Sequence, residues 1–228
     1  MSEKTKKPAE PRDAASVIML RGTPGDPEVL VGRRPEKARF MPSVWVFPGG
    51  AVEEADFQLQ TPHNLREDVL ARLTRTTAPR LAHALAWTAL REMREETGLL
   101  LGKTGDDNSA TESEAHDAYQ RAGIVPNLTA LDYLMRACTP EYQPIRFNTR
   151  FFIADGTDTS GNIWQTSELE EICWIRLNEL PDMKIAGITG IVIEQAQQYW
   201  FSQPSPDPDR TVMFFSADMD HNRIWQEE

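Results

Sequence analysis

A mixed β-sheet covered by helices, an α/β (α+β) arrangement, is the fold class the sequence predicts. Short apolar, β-branched runs bounded by Gly and Pro recur along the chain, and two long segments carry apolar residues at helical spacing. Strands and helices also alternate along the chain, so the helices must cover a sheet. The 228 residues suffice for one domain with an elaborate insertion.

Residues 1–14 read as a disordered tail: the first eleven are polar and Lys-rich and lack the apolar stretch of a signal peptide. Residues 15–228 read as one domain. Residues 15–20 form a first strand, 22–27 a Gly/Pro turn and 28–33 the returning strand of a hairpin. A basic loop covers 35–42, and a short strand at 44–47 is stopped by Pro48-Gly49-Gly50.

Residues from about 57 to 83 look inserted. Within them, 64–74 carry apolar residues at 65, 69, 70 and 73, with Asn64 as N-cap and Glu67 completing a capping box. Residues 79–97 give the clearest helix, with Leu81, Leu85, Ala89, Leu90 and Met93 on one stripe and Gly98 as the glycine that ends it. A short helix is expected near 114–122, paired strands at 131–138 and 145–154, and another strand at 172–177. A second long helix follows at 183–200, with a last edge strand at 211–215.

Composition excludes several function classes. The formal charge of −11 and pI near 4.9 repel phosphate backbones, so a nucleic-acid partner is not expected. No run approaches the roughly 20 apolar residues of a membrane helix, so no membrane partner is expected either. Cys138 and Cys173 read as reduced thiols, and the last residues carry no peroxisomal address. A cytoplasmic protein is the expectation, and pairing with a second copy as a homodimer is left open.

The chemistry lies in Arg91-Glu92-Met93-Arg94-Glu95-Glu96-Thr97-Gly98. On a helix, Glu92, Glu95 and Glu96 stand at i, i+3 and i+4 and project from one face. Their mutual repulsion would be relieved by a divalent cation, and Mg²⁺ prefers such hard oxygen ligands. Arg91 stands one turn before Glu95 and can orient that carboxylate. Two glycines at 49 and 50 allow backbone to approach a metal or phosphate closely.

These residues resemble the Nudix hydrolase family, whose box runs glycine, five residues, glutamate, seven residues, then Arg-Glu-aliphatic-x-Glu-Glu-x-Gly-aliphatic. Its second half is complete here from Arg91 to Leu99. The first half begins at Gly50, with Asp56 in the glutamate's place and 34 residues between Asp56 and Arg91. An ungapped alignment would instead put Thr77 and His83 in the glycine and acid places. A box split in this way resembles the coenzyme A diphosphatase-like subgroup, as does Arg146-Phe-Asn-Thr-Arg-Phe-Phe. Arg34, Arg39 and Phe47–Gly50 also fit that subgroup's upstream pattern, with Ser43 where it has glycine.

The resemblance implies an αβα sandwich, Mg²⁺ as cofactor with Mn²⁺ as a substitute, and hydrolysis of a pyrophosphate linkage in a small nucleotide substrate. Coenzyme A or an acyl-coenzyme A leads. ADP-ribose, a nucleotide sugar, a dinucleoside polyphosphate and a non-catalytic nucleotide sensor remain as alternatives. Expected metal ligands are Glu92, Glu95, Glu96 and the Gly49 carbonyl. Expected catalytic residues are Glu92, Arg91 and, as general base, Glu168. Arg34, Arg39 and Gly50 are expected to bind substrate. No base-stacking aromatic stands out: Trp45, Trp87 and Tyr142 read as core.

Overall fold

The computed structural model describes residues 8–38, 41–105 and 114–228; the Arg39 expectation lies outside them. β1 (Arg12–Thr23) and β2 (Asp26–Arg33) form a hairpin around Pro24-Gly25, the tight connection expected from its turn residues. β3 (Trp45–Val46) and β4 (Gly49–Ala51) follow, then α1 (Glu67–Thr74), α2 (Pro79–Thr97), β5 (Leu100–Thr104), α3 (Glu114–Ala122) and β6 (Ile124–Pro126). β7 (Asp132–Cys138), β8 (Phe147–Asp155), β9 (Thr159–Ser160), β10 (Glu170–Arg176), α4 (Gly187–Ser202), β11 (Met213–Ala217) and β12 (Arg223–Glu227) complete the order.

The main sheet runs β10-β2-β1-β8-β7-β11-β12, with β3 paired to β2 and β4 to β1; β6-β5-β9 form a smaller sheet. Pairing is parallel for β1/β8 and β7/β11 and antiparallel elsewhere in these sheets. β1 organises both faces. Ala15, Val17 and Met19 enter a core shared with α1 and α2, while Ile18 and Leu20 enter one shared with α4. A strand buried on both sides needs apolar residues at every position, which is why this run does not alternate. Helices on both faces of a mixed sheet give the αβα sandwich.

The segment between Asp56 and Arg91 packs as part of the domain. Leu59, Leu65, Val69 and Leu73 are buried in the same core as α2. A polar clasp then ties α1 to the sheet. Asp132 of β7 accepts from Arg72 (2.7 Å), Arg66 (3.1 Å), Arg210 (2.6 Å) and the Tyr199 hydroxyl (2.7 Å). Arg72, fully buried, also reaches Asp68 at 2.8 Å and the Tyr133 carbonyl at 3.1 Å.

Several boundaries differ from expectation. The first strand starts at Arg12, inside the expected tail, because β8 pairs with it from Phe147 onward. Pro48-Gly49-Gly50 does not end strand structure: Gly49–Ala51 is β4, hydrogen-bonded to β1. α1 is capped by Arg66 without a side-chain bond, so the Asn64 box does not form. α4 begins at Gly187, since Lys184 and Ile185 are held extended against Trp45. β11 is not an edge strand, as β12 lies outside it. α2 and its glycine stop hold as expected, with Gly98 at φ +82°.

Ser43 sits at φ +57°, a left-handed conformation that favours glycine, so the glycine of the resembling pattern suits this backbone. Ser43→Gly should stabilise the fold by about 1 kcal/mol in urea unfolding. Burial pushes the Asp132 carboxyl up, but Arg72, Tyr199 and Arg210 more than offset this and hold it below its ordinary range. A lowered folded pKa contributes stability above the ordinary carboxylate range that is lost as pH falls through the folded value. Asp132→Asn should therefore cost about 3 kcal/mol at neutral pH. The gap from wild type should narrow in denaturation curves taken below about pH 4.

Candidate active site

The site forms where the C-terminal half of α2 meets β4 and the start of β10. Arg91 is its organiser. Its Nε and Nη2 donate to both oxygens of Asp56 (2.8 and 3.1 Å), and Nη2 also to the Ala51 carbonyl (3.1 Å). Its Nη1 donates to Glu92 Oε1 (2.8 Å) and Glu95 Oε2 (3.1 Å). Asp56 is 1% exposed and also accepts from the Glu53 amide and lies 2.8 Å from the Thr88 hydroxyl. This bidentate contact joins Asp56 to Arg91 across 34 residues of sequence, the geometry that makes Arg–carboxylate pairs strong. His83, the acid position of the ungapped alignment, makes no comparable described contact with Arg91.

Glu92 and Glu96 lie one turn apart, buried at 8% and 3% exposure. Glu96 Oε2 accepts the Gly49 amide at 2.8 Å. Gly50 makes room: a Cβ there would stand 2.2 Å from Glu92 Oε1. Glu168 completes the group, because one oxygen from each of Glu92, Glu96 and Glu168 lies within 4.8 Å of the others. Glu168 is exposed and is placed by its neighbours. Leu169 is buried against Gly32 of β2, and the amides of Glu168 and Leu169 donate to Thr166 Oγ1 (3.2 and 3.0 Å).

The structure thus brings together Glu92, Glu96, Glu168, Arg91, Gly49 and Gly50. Glu95, expected beside Glu92 and Glu96 as a metal ligand, is turned to Arg91 instead and is 44% exposed at its side chain. Its position is one that i+3 spacing alone cannot separate from that of Glu96. For Gly49, the amide rather than the expected carbonyl makes the described contact. Arg34 is half-buried close enough for its charge to act on Glu96. Thr88 and the Ala51 carbonyl were missed; Thr88 stands one turn before Arg91 and Glu92, a spacing that points to it, whereas a carbonyl has no sequence signal.

The electrostatics favour a cation. Burial pushes the Glu92 carboxyl up to about 7, with Arg91 pulling against it and Glu95 and Glu168 adding to it. Burial pushes Glu96 well above its ordinary range, opposed by the Gly49 amide and raised further by Glu92 and Glu168. Two buried carboxylates and a third within reach leave negative charge that Arg91, engaged with Asp56, only partly balances. Hard oxygen donors in this arrangement fit Mg²⁺ or Mn²⁺.

Known proteins show the same shape. A Nudix hydrolase from Alicyclobacillus acidocaldarius superposes with a TM-score of 0.63 at 27% identity, over 88% of this chain and 99% of that one. The fold is that of the Nudix hydrolases. Nudix hydrolase 7 of Caenorhabditis elegans is 29% identical over 188 residues, 77% of this chain and 55% of that protein. An acyl-coenzyme A diphosphatase of Gallus gallus is 44% identical over 59 residues, 22% of this chain and 16% of that protein. The chain therefore spans about half the length, or less, of these two relatives. No family model matches. Asp56 and Arg91 meet in three dimensions across the 34 residues that separate them in sequence.

Mn²⁺ titrations followed calorimetrically or by electron paramagnetic resonance should separate the acids. Glu92→Gln and Glu96→Gln should each weaken binding at least tenfold, and Glu95→Gln less than either. Gly50→Ala should mimic Glu92→Gln by displacing that carboxylate. Equal effects at 92, 95 and 96 would contradict the grouping.

Proposed function

We propose that this chain hydrolyses a pyrophosphate linkage in a nucleoside diphosphate derivative with the help of a divalent cation, with coenzyme A or an acyl-coenzyme A as the substrate class. The observation that carries the reading is the convergence of Glu92, Glu96 and Glu168 within 4.8 Å at the end of α2.

Glu92 and Glu96 would hold Mg²⁺ or Mn²⁺, which when bound supplies charge neutralisation at the diphosphate oxygens. The residues of the chain do the rest. Water attacks one phosphorus in line, its proton passes to the Glu168 carboxylate, and the bridging P–O bond breaks with its electron pair leaving on the departing phosphate. Glu168 suits the base role because it is the exposed member of the group and is held by the Thr166 turn. The Gly49 amide fixes Glu96, and Arg91 fixes Glu92 and Glu95, so the acids need not reorganise during the reaction.

The coenzyme A choice is supported by the split box, by the short stretch of likeness to an acyl-coenzyme A diphosphatase and by Arg34, whose charge reaches Glu96. Arg34, together with Arg39, is assigned to the 3′-phosphate.

The test is a panel of coenzyme A, acetyl-coenzyme A, ADP-ribose, a nucleotide sugar and a dinucleoside polyphosphate, with and without Mg²⁺, products resolved by chromatography. Metal-dependent release of 3′,5′-ADP from coenzyme A is expected, and turnover by Glu168→Gln should fall by about 10²–10⁴-fold. Arg34→Ala and Arg39→Ala should raise KM more on coenzyme A than on its 3′-dephospho form. Equal losses on both forms would remove the 3′-phosphate assignment, and silence across the panel would remove the hydrolase reading.

A further inference from the structure

We infer that Trp164 is the platform on which the substrate's nucleobase stacks, a step that rests on the nucleotide reading above. Of the six tryptophans, Trp87 and Trp200 are buried, Trp45 and Trp174 half-buried, and Trp225 of β12, 44% exposed, meets Phe215 of β11 at a tilt, centroids 4.8 Å apart. β12 lies at the opposite edge of the sheet from β10 and Glu168. Trp164 is different. It is 50% exposed, next to Ile163 at 37%, on the segment that joins β9 to β10 and carries Glu168 near its end.

That segment wraps the C-terminal end of α2 and is tied to it at several points. The Trp164 amide donates to the Thr97 carbonyl at 3.2 Å, one residue from Glu96. Its ring lies over Gly98, so that a Cβ at 98 would stand 2.6 Å from ring atoms Cδ2 and Cε3; a Cβ at Gly161 would stand 2.8 Å from the Gly98 carbonyl. Four residues later the same segment delivers Glu168 to the carboxylate group. An extended stretch of four residues spans at most about 14 Å, a reach comparable to one ribose and two phosphates. An indole that packs against Gly98 and is half exposed thus lies no farther than that reach, measured along the backbone, from Glu168.

Half of this indole is exposed to water, and hydration of an apolar ring is unfavourable. A planar base would cover it, and every base offers a face for this. Trp45 and Trp87 do not compete, as neither is exposed. Tyr142, expected in the core, is exposed but already stacked on His221 at 4.0 Å.

The experiment is equilibrium binding of AMP and of ribose 5-phosphate to the intact protein, by calorimetry and by quenching of indole fluorescence, in wild type, Trp164→Ala and Trp164→Phe. Circular dichroism of each variant checks the fold. Trp164→Ala should bind AMP about tenfold more weakly or worse and ribose 5-phosphate within about twofold of wild type. Trp164→Phe should recover most of the AMP affinity, because a smaller ring still stacks. A loss of equal size on both ligands, or no loss on AMP, overturns the assignment, as does a wild type that does not prefer AMP to ribose 5-phosphate. If the platform binds AMP as stated while the diphosphate panel is not hydrolysed, the hydrolase reading fails and the platform stands.

Discussion

The site depends on one guanidinium. Arg91 touches Asp56 from before the inserted segment, Ala51 from β4, and Glu92 and Glu95 from its own helix. Each contact alone is ordinary. Together they lock the edge of the sheet to α2 and set the distance between β4 and the acids. The pairing is buried, so its loss would leave Asp56 charged in a low-dielectric setting with no cation to answer it. Around that lock the remaining geometry follows: Gly49 can reach Glu96 and Gly50 can clear Glu92 only because β4 is held against the helix.

Burial then turns a surface motif into a reactive one. A helix bearing Arg-Glu-x-Arg-Glu-Glu in solvent is a salt-bridged face worth a few tenths of a kcal/mol per pair. Here Glu92 and Glu96 are enclosed, and enclosure disfavours their charged forms. The molecule tolerates this because the Gly49 amide and Arg91 return part of the loss. What is left unreturned is negative charge that a divalent cation would offset.

Much of this was legible in the sequence, and the limits are physical. α2 could be read to the residue, because proline marks its first turn and a glycine at φ +82° its end. The core strands were visible because burial on one or both faces demands β-branched and aromatic residues. Short pieces were not: β4 is three residues long and glycine-rich, and its pairing to β1 is a backbone property. β12 carries Ile224 and Trp225 among charged and polar neighbours and is mostly exposed, so no alternation announces it. For the site, spacing identified the acid-bearing face of α2 but could not tell Glu95 from Glu96. That distinction is made by the partner each acid takes: Glu95 accepts from Arg91 of the same helix, and Glu96 from the Gly49 amide of β4. The sequence offers Glu168 as a base, but its meeting with Glu92 and Glu96, like the place of Trp164, depends on how a loop folds back over α2, which no local pattern encodes.

The segment between Asp56 and Arg91 illustrates how a fold can absorb length while the residues at its two ends still meet. Closing a longer loop costs little more than closing a short one, since the entropy grows only with the logarithm of length. The larger demand is that the extra residues bury something. Leu59, Leu65, Val69 and Leu73 do so in the core shared with α2. Arg66 and Arg72 meet Asp132 on β7, where Tyr199 of α4 and Arg210 from beyond it also converge. The clasp therefore joins this segment to the sheet, to α4 and to the chain beyond it. A segment anchored in the core and clamped by buried ion pairs behaves as part of the scaffold rather than as a lid. Its effect on the site is indirect: it returns the chain to Pro79 in a position from which α2 carries Arg91 back to Asp56.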